Sequence, residues 1–148
     1  MRITAFSDVC LRVVMLLTTE SELLTSRVVS ERVGTPYNHV SKAIIRVREL
    51  GLVHVERGRS GGVRISAAGR TATVGWLMRQ LDDRVDLASC HTPAGPCPLL
   101  AGCGLRGALS TAREAFYAQL DDLVIADLAP AHRVGAVPIT LSLNQPGS

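Results

Sequence analysis

The run Gly34-Thr35-Pro36-Tyr37-Asn38-His39-Val40-Ser41-Lys42-Ala43-Ile44-Ile45-Arg46-Val47-Arg48-Glu49-Leu50-Gly51 decides the fold. Val40, Ala43, Ile44, Val47 and Leu50 recur at the spacing of one buried helix face. Thr35 suits an N-cap, and Pro36 suits the first helical position, where its missing N–H costs nothing. Gly51 suits the C-terminal stop. The spacing therefore predicts a helix from Pro36 to Leu50, with Tyr37, Asn38, Ser41, Lys42, Ile45, Arg46 and Arg48 on its other faces. Upstream, Thr25 or Ser26 can cap a short helix over 27–33, and Gly34 turns the chain between the two. A short helix, a tight turn and a helix with a polar, basic start make a helix-turn-helix.

Downstream come Leu52-Val53-His54-Val55-Glu56-Arg57, Gly58-Arg59-Ser60-Gly61-Gly62 and Val63-Arg64-Ile65-Ser66. Two short alternating strands around a Gly-rich basic turn form a hairpin. Placed directly after a helix-turn-helix, it reads as a wing. Residues 25–66 carry eight Lys/Arg against three Glu, hence +5, which leaves −2 for the rest of a chain of net charge +3. Basic charge confined to one segment points to a polyanion there. Gly58 and Gly61 would let the backbone approach phosphate, and Arg57, Arg59 and Arg64 would supply charge.

Outward from this unit, residues 3–19 read as a helix with Ile3, Phe6, Cys10, Val13 and Leu17 on its core stripe. Cys10 reads as a buried small hydrophobe. Asp8 and Arg12 lie off the stripe, four residues apart, beside Leu11 and Met15, so both sides of this helix call for cover. Another helix is clearest over 74–81, with Trp76, Leu77 and Leu81 expected on the winged unit. From Gly104 to Leu120 a long helix carries Leu105, Leu109, Ala112, Phe116 and Leu120, with Ala108, Ala112 and Ala115 small enough for close approach. It is expected to pair with its copy in a second subunit. Asp121-Asp122 can cap a short segment reaching Leu128, and the Pro-containing tail from 129 is expected to be loosely held.

Cys90-His91-Thr92-Pro93-Ala94-Gly95-Pro96-Cys97-Pro98-Leu99-Leu100-Ala101-Gly102-Cys103 holds three of the four cysteines. A packed core has no need of thiols at these intervals on a Gly/Pro-bent loop, whereas a metal needs turns that aim thiolates at it. The residues leave two readings open, an iron–sulfur cluster or a Cys3His zinc site using His91. Adjacent Cys90 and His91 converge poorly on one ion. No secretory signal or membrane span is apparent. A cytoplasmic chain is expected, in which a thiol cluster means metal or redox chemistry more often than disulfides. No CxxxCxxC radical motif, Ser/His/Asp set, dinucleotide fingerprint or GxxxxGK loop suggests an enzyme. The expected organisation is a winged helix-turn-helix over 1–83, a cluster-binding loop over 84–103, a dimerisation helix region over 104–128 and a tail over 129–148. Hydrophobic residues are 47% of the chain and aromatics only 3%, so its core should be aliphatic.

The winged order, Gly51-Leu52-Val53, Arg57 through Gly62 and the three-cysteine loop resemble the iron–sulfur winged-helix regulators, the family of IscR and NsrR, over about residues 1–128. The opening Met1-Arg2-Ile3-Thr4-Ala5-Phe6-Ser7-Asp8, the run Pro36-Tyr37-Asn38-His39 and Gly75-Trp76-Leu77 look most like its nitric-oxide-sensing repressors. That resemblance implies a homodimer with one 4Fe–4S cluster per subunit, or 2Fe–2S as the alternative. Cys90, Cys97 and Cys103 would be ligands. The fourth would be an oxygen of the partner subunit's Asp8, with Arg12 orienting that carboxylate. It implies a repressor of a palindromic operator that lets go when nitric oxide attacks the cluster; an IscR-like sensor of iron–sulfur supply or redox state is the alternative. Thr35, Tyr37, Asn38, Ser41 and Lys42 are the expected base or sugar contacts. Arg46, Arg48, Arg57, Arg59 and Arg64 are the expected phosphate or minor-groove contacts.

Overall fold

The computed structural model describes residues 3–84 and 86–130. The tail expected over 129–148 lies, from 131 on, outside the described residues.

Helix α1 spans Ala5–Thr18, and the Thr4 hydroxyl accepts the Ser7 N–H at 3.0 Å as its N-cap. Val9, Cys10, Val13, Val14 and Leu17 are buried along it. Ile3 and Phe6 depart from the expected core stripe. Ile3 precedes the helix half-buried, and Phe6 in the first turn stays 38% exposed. The apolar face thus runs beyond what this chain covers. Helix α2, Ser26–Val33, is capped by Thr25 and closed by Gly34 at φ +64°. Helix α3, Tyr37–Glu49, buries Val40, Ala43, Ile44 and Val47 as the spacing predicts. Its cap differs. Pro36 has non-helical torsions and is itself the N-cap, so Thr35 stands one residue too early. The Thr35 hydroxyl donates instead to the Val33 carbonyl at 3.4 Å.

Strands β1, Val53–Glu56, and β2, Gly62–Ile65, pair antiparallel with Val53 opposite Ile65 and Glu56 opposite Gly62. Leu24 adds one further bridge to Val63, with N–H···O distances of 3.0 and 2.8 Å. Helix α4, Ala67–Thr71, leads to α5, Val74–Leu81. On α5, Leu77 and Leu81 enter the core as expected, but Trp76 stays 39% exposed. Neighbouring helix residues point about 100° apart, so burying Leu77 turns Trp76 outward.

After a two-rung hairpin, β3 (His91–Thr92) with β4 (Gly95–Pro96), comes the long helix α6, Gly104–Ala118. Leu105 is 64% exposed, Leu109 and Phe116 are half-buried, and the one buried residue is Tyr117. The chain then turns back on itself. Gly75 and Val74 N–H donate to the Leu120 and Leu123 carbonyls, both at 2.9 Å, and Ile125 N–H donates to the Ala72 carbonyl at 2.9 Å. Ile125 opens a 3-10 turn, Ile125–Leu128, and is fully buried in the same core as α1, α3 and α5. Val124, not Asp121 or Asp122, stands at the cap of that turn, because the Asp121 carboxylate is taken by Arg79.

Gly75 is where α5 meets the end of α6. An alanine Cβ there would come within 2.5 Å of the Tyr117 carbonyl oxygen and 2.8 Å of the Asp121 nitrogen. Gly75→Ala should therefore destabilise the chain by about 1–3 kcal/mol through overpacking. Urea denaturation of the full chain measures it, and unchanged stability would show that the helices separate without cost.

Candidate functional site

Two surfaces carry chemistry: the face of α3 with the wing, and the cysteine loop. On α3, Tyr37, Asn38, Lys42 and Arg48 are exposed, and Arg57 and Arg59 are exposed at the wing turn. Gly58 there has φ +114°, a conformation that favours glycine. The Tyr37 ring lies under the Arg27 guanidinium at 5.8 Å, so Arg27, which sequence reasoning passed over, joins this face. Three expected contacts are less free. Arg64 Nε donates to Glu56 across the hairpin at 3.2 Å. The Ser41 Oγ is buried with no hydrogen-bond partner. The Arg46 guanidinium is turned back, with Nη2 donating to the Gln80 carbonyl at 2.8 Å and Nη1 at 3.5 Å from Glu49.

The cysteine loop is folded by its own backbone. Cys97 N–H donates to the Cys90 carbonyl at 2.9 Å, Leu100 N–H to Cys97 at 3.0 Å, and Cys103 N–H to Leu100 at 3.4 Å. Gly95 and Gly102, at φ +119° and +76°, make the bends. Cys90 is buried, while Cys97 and Cys103 are half-buried and unbonded. Burial pushes the Cys90 thiol up. Asp86 adds to this, Arg106 opposes it, and thiolates at Cys103 and Cys97 raise it further. A bound cation would lower the cost of ionising a thiol so placed. Among the described residues, no three His, Cys, Asp or Glu side chains converge as a single-ion site. Three thiols carried on one bent loop are a donor set that an iron–sulfur cluster takes. His91 Nδ1 sits 3.2 Å from Asp86 Oδ2.

The loop is tied at both ends. Asp86, four residues before Cys90, pairs with Arg106, three residues after Cys103, and the Asp86 side chain is only 10% exposed. These opposite charges flanking the thiols were a sequence signal that went unread. Beside them a cavity of about 410 Å³ is lined by Cys103, Arg106, Ser110 and Arg113 among others. Asp8 stands on α1, gripped by Arg12 through Nε–Oδ1 and Nη2–Oδ2 contacts of 3.0 Å each. Cys10, on the opposite side of α1 from Asp8 and Arg12, is fully buried in the core, and burial pushes its thiol up to about 12 against the pull of Arg46.

A sequence model of the Rrf2 family, described as iron-dependent transcriptional regulators, matches residues 3–131. The chain belongs to the Rrf2 family. It is 46% identical over 134 residues to the HTH-type transcriptional repressor NsrR of Streptomyces coelicolor, spanning 88% of this chain and 90% of that protein. It is 31% identical over 131 residues to the HTH-type transcriptional regulator NsrR of Bacillus subtilis, spanning 86% and 90%. Among solved structures, T. potens IscR superposes with a TM-score of 0.66 at 17% identity over 86% of this chain and 85% of that one. CymR, the global cysteine regulator of B. subtilis, superposes with 0.63 at 19% over 87% and 96%. At such identities these structures show the shared fold. The chain is thus a transcriptional regulator of the NsrR type, and the Rrf2 relatives it matches are regulators rather than enzymes. No described helix is long and apolar enough to cross a membrane.

Asp82 joins α5 to α6. Burial would raise its carboxyl, but hydrogen bonds from Arg84 and Tyr117 outweigh that and bring it from 3.8 down to about 2. A depressed acid contributes stability above its unfolded pKa and loses it as pH falls through the folded one. Stability should therefore drop between about pH 4 and pH 2, and Asp82→Asn should flatten that stretch of the curve. Urea midpoints at stepped pH measure it; a variant with the wild-type slope would remove Asp82 as the cause.

Proposed function

We propose that this Rrf2 regulator is a nitric-oxide-responsive repressor that holds a palindromic operator as a homodimer while an iron–sulfur cluster occupies the Cys90–Cys103 loop. The observation that carries the reading is the union, in one chain, of a free-thiol loop folded around three cysteines and a winged helix with a basic outer face. The 46% identity to a repressor named NsrR supports it.

Cys90, Cys97 and Cys103 would hold the group, with the partner subunit's Asp8 as the fourth ligand, an oxygen donor harder and more labile than thiolate. When bound, a 4Fe–4S cluster supplies irons that nitric oxide can attack. Arg12 would hold Asp8 in one orientation, as its two contacts do within this chain. The exposed Leu105 and half-buried Leu109 of α6, with Phe6 of α1, are apolar surface for the second subunit to cover.

On DNA, the starts of the two α3 helices would enter major grooves about one helical turn apart. Thr35, Tyr37, Asn38, Ser41 and Lys42 would meet bases or sugars. Arg48, Arg57, Arg59 and Arg64 would meet phosphate or the minor groove. Losing the Asp8 bond between subunits would let them shift, and a ~100-fold change in affinity needs only about 2.7 kcal/mol of coupling.

The test is binding of anaerobically prepared protein to its own promoter, before and after nitric oxide. Weakening of ten- to a hundredfold is expected, a span inside ordinary allosteric coupling of roughly 5–150-fold. Equal affinity would defeat the sensor reading. Arg48→Ala and Arg59→Ala should each flatten the log–log salt dependence by about 0.9 if their charges meet phosphate; an unaltered slope would take that residue off the phosphate surface.

A further inference from the structure

Arg46 stands on the recognition helix among residues that point outward, yet its guanidinium faces the protein. Its Nη2 donates to the Gln80 carbonyl at 2.8 Å. That carbonyl belongs to the last turn of α5, where no following helical N–H is available. The N–H that would continue the helix, on Arg84, goes to Asp82 Oδ1 at 3.2 Å instead. A cation on a helix C-terminus is favoured both as a charge-assisted hydrogen bond and by the helix dipole.

The contacts continue from there. Asp82, next after α5, receives the Tyr117 hydroxyl of α6 and pairs with Arg84 and Arg113. Arg113 also donates to the Arg84 carbonyl at 2.7 Å. Arg113 in turn lines the cavity shared with Cys103 and Arg106. Polar contacts thus join α6 to the residues that follow α5, Arg46 joins the last turn of α5 to α3, and a shared cavity wall sets Arg113 beside the end of the thiol loop.

We propose that Arg46 is a positioning residue, which sets the recognition helix against the C-terminus of α5 and so transmits the state of the cysteine loop to the DNA-binding face, instead of contacting phosphate. The inference rests on the reading that loop occupancy governs DNA affinity.

The probe is the tightest-binding duplex selected from a random-sequence pool by the wild-type protein. Affinity is measured across a salt series for cluster-loaded and cluster-free forms of wild type, Arg46→Met and Arg46→Lys. Thermal unfolding of each apo variant confirms that it is folded. Arg46→Met should keep the wild-type salt slope while the loaded-to-free affinity ratio shrinks roughly 2- to 30-fold, the scale on which single residues alter coupling. Arg46→Lys, which keeps a donor and the charge, should restore part of that ratio. A slope flattened by about 0.9, the signature of a lost phosphate contact, overturns the assignment, and so does an unchanged ratio. If wild type itself shows no difference between the two forms, the sensor reading has failed. The slope alone then decides whether Arg46 faces protein or phosphate.

Discussion

The joint between α5 and α6 fixes the thiol loop relative to the DNA-binding unit, and it is made almost wholly of charge and hydrogen bonds. Arg79 reaches from α5 to both Glu114 and Asp121 and lies 5.6 Å over the Tyr117 ring. The Tyr117 hydroxyl, Arg84 and Arg113 close on Asp82. Tyr117 is the one fully buried residue of α6. Apolar burial is non-directional and hard to exchange for another arrangement, whereas ion pairs at a half-exposed seam contribute little each and re-pair readily.

The aliphatic core does the opposite task. Val13, Leu17, Val29, Val40, Val47, Leu52 and Leu77 are packed without exposure, and Ile125 brings the returning chain into the same cluster. The winged unit and the far end of α6 are therefore one body. What remains free to respond is the start of α6 and the loop before it, where Leu99 and Leu105 are 74% and 64% exposed. The thiol loop adjoins the least buried end of the helix, and the end nearest the core is anchored.

Local signals were legible in the sequence. The stripe Val40, Ala43, Ile44, Val47 and the stop at Gly51, whose φ is +76°, follow from periodicity and glycine chemistry alone. The alternation of Val53–Glu56 with Gly62–Ile65 and the spacing of the thiols were equally local. The misread cap of the last turn traces to a partner distant in sequence. Asp121 looks like a cap until Arg79, 42 residues away, claims it. Trp76 and Phe6 look like core because they are large and apolar, but burial also needs a neighbour, and this chain leaves both about two-fifths exposed. The Asp86–Arg106 clasp was readable in principle, since it only asks which charges bracket the thiols.

Native mass spectrometry of protein prepared without oxygen tests the central claim most directly, because it weighs the bound group and counts subunits at once. The account requires two chains carrying two iron–sulfur clusters, with the inorganic mass lost when Cys90, Cys97 or Cys103 is replaced by alanine. A species holding zinc, or a bare single chain, would contradict it.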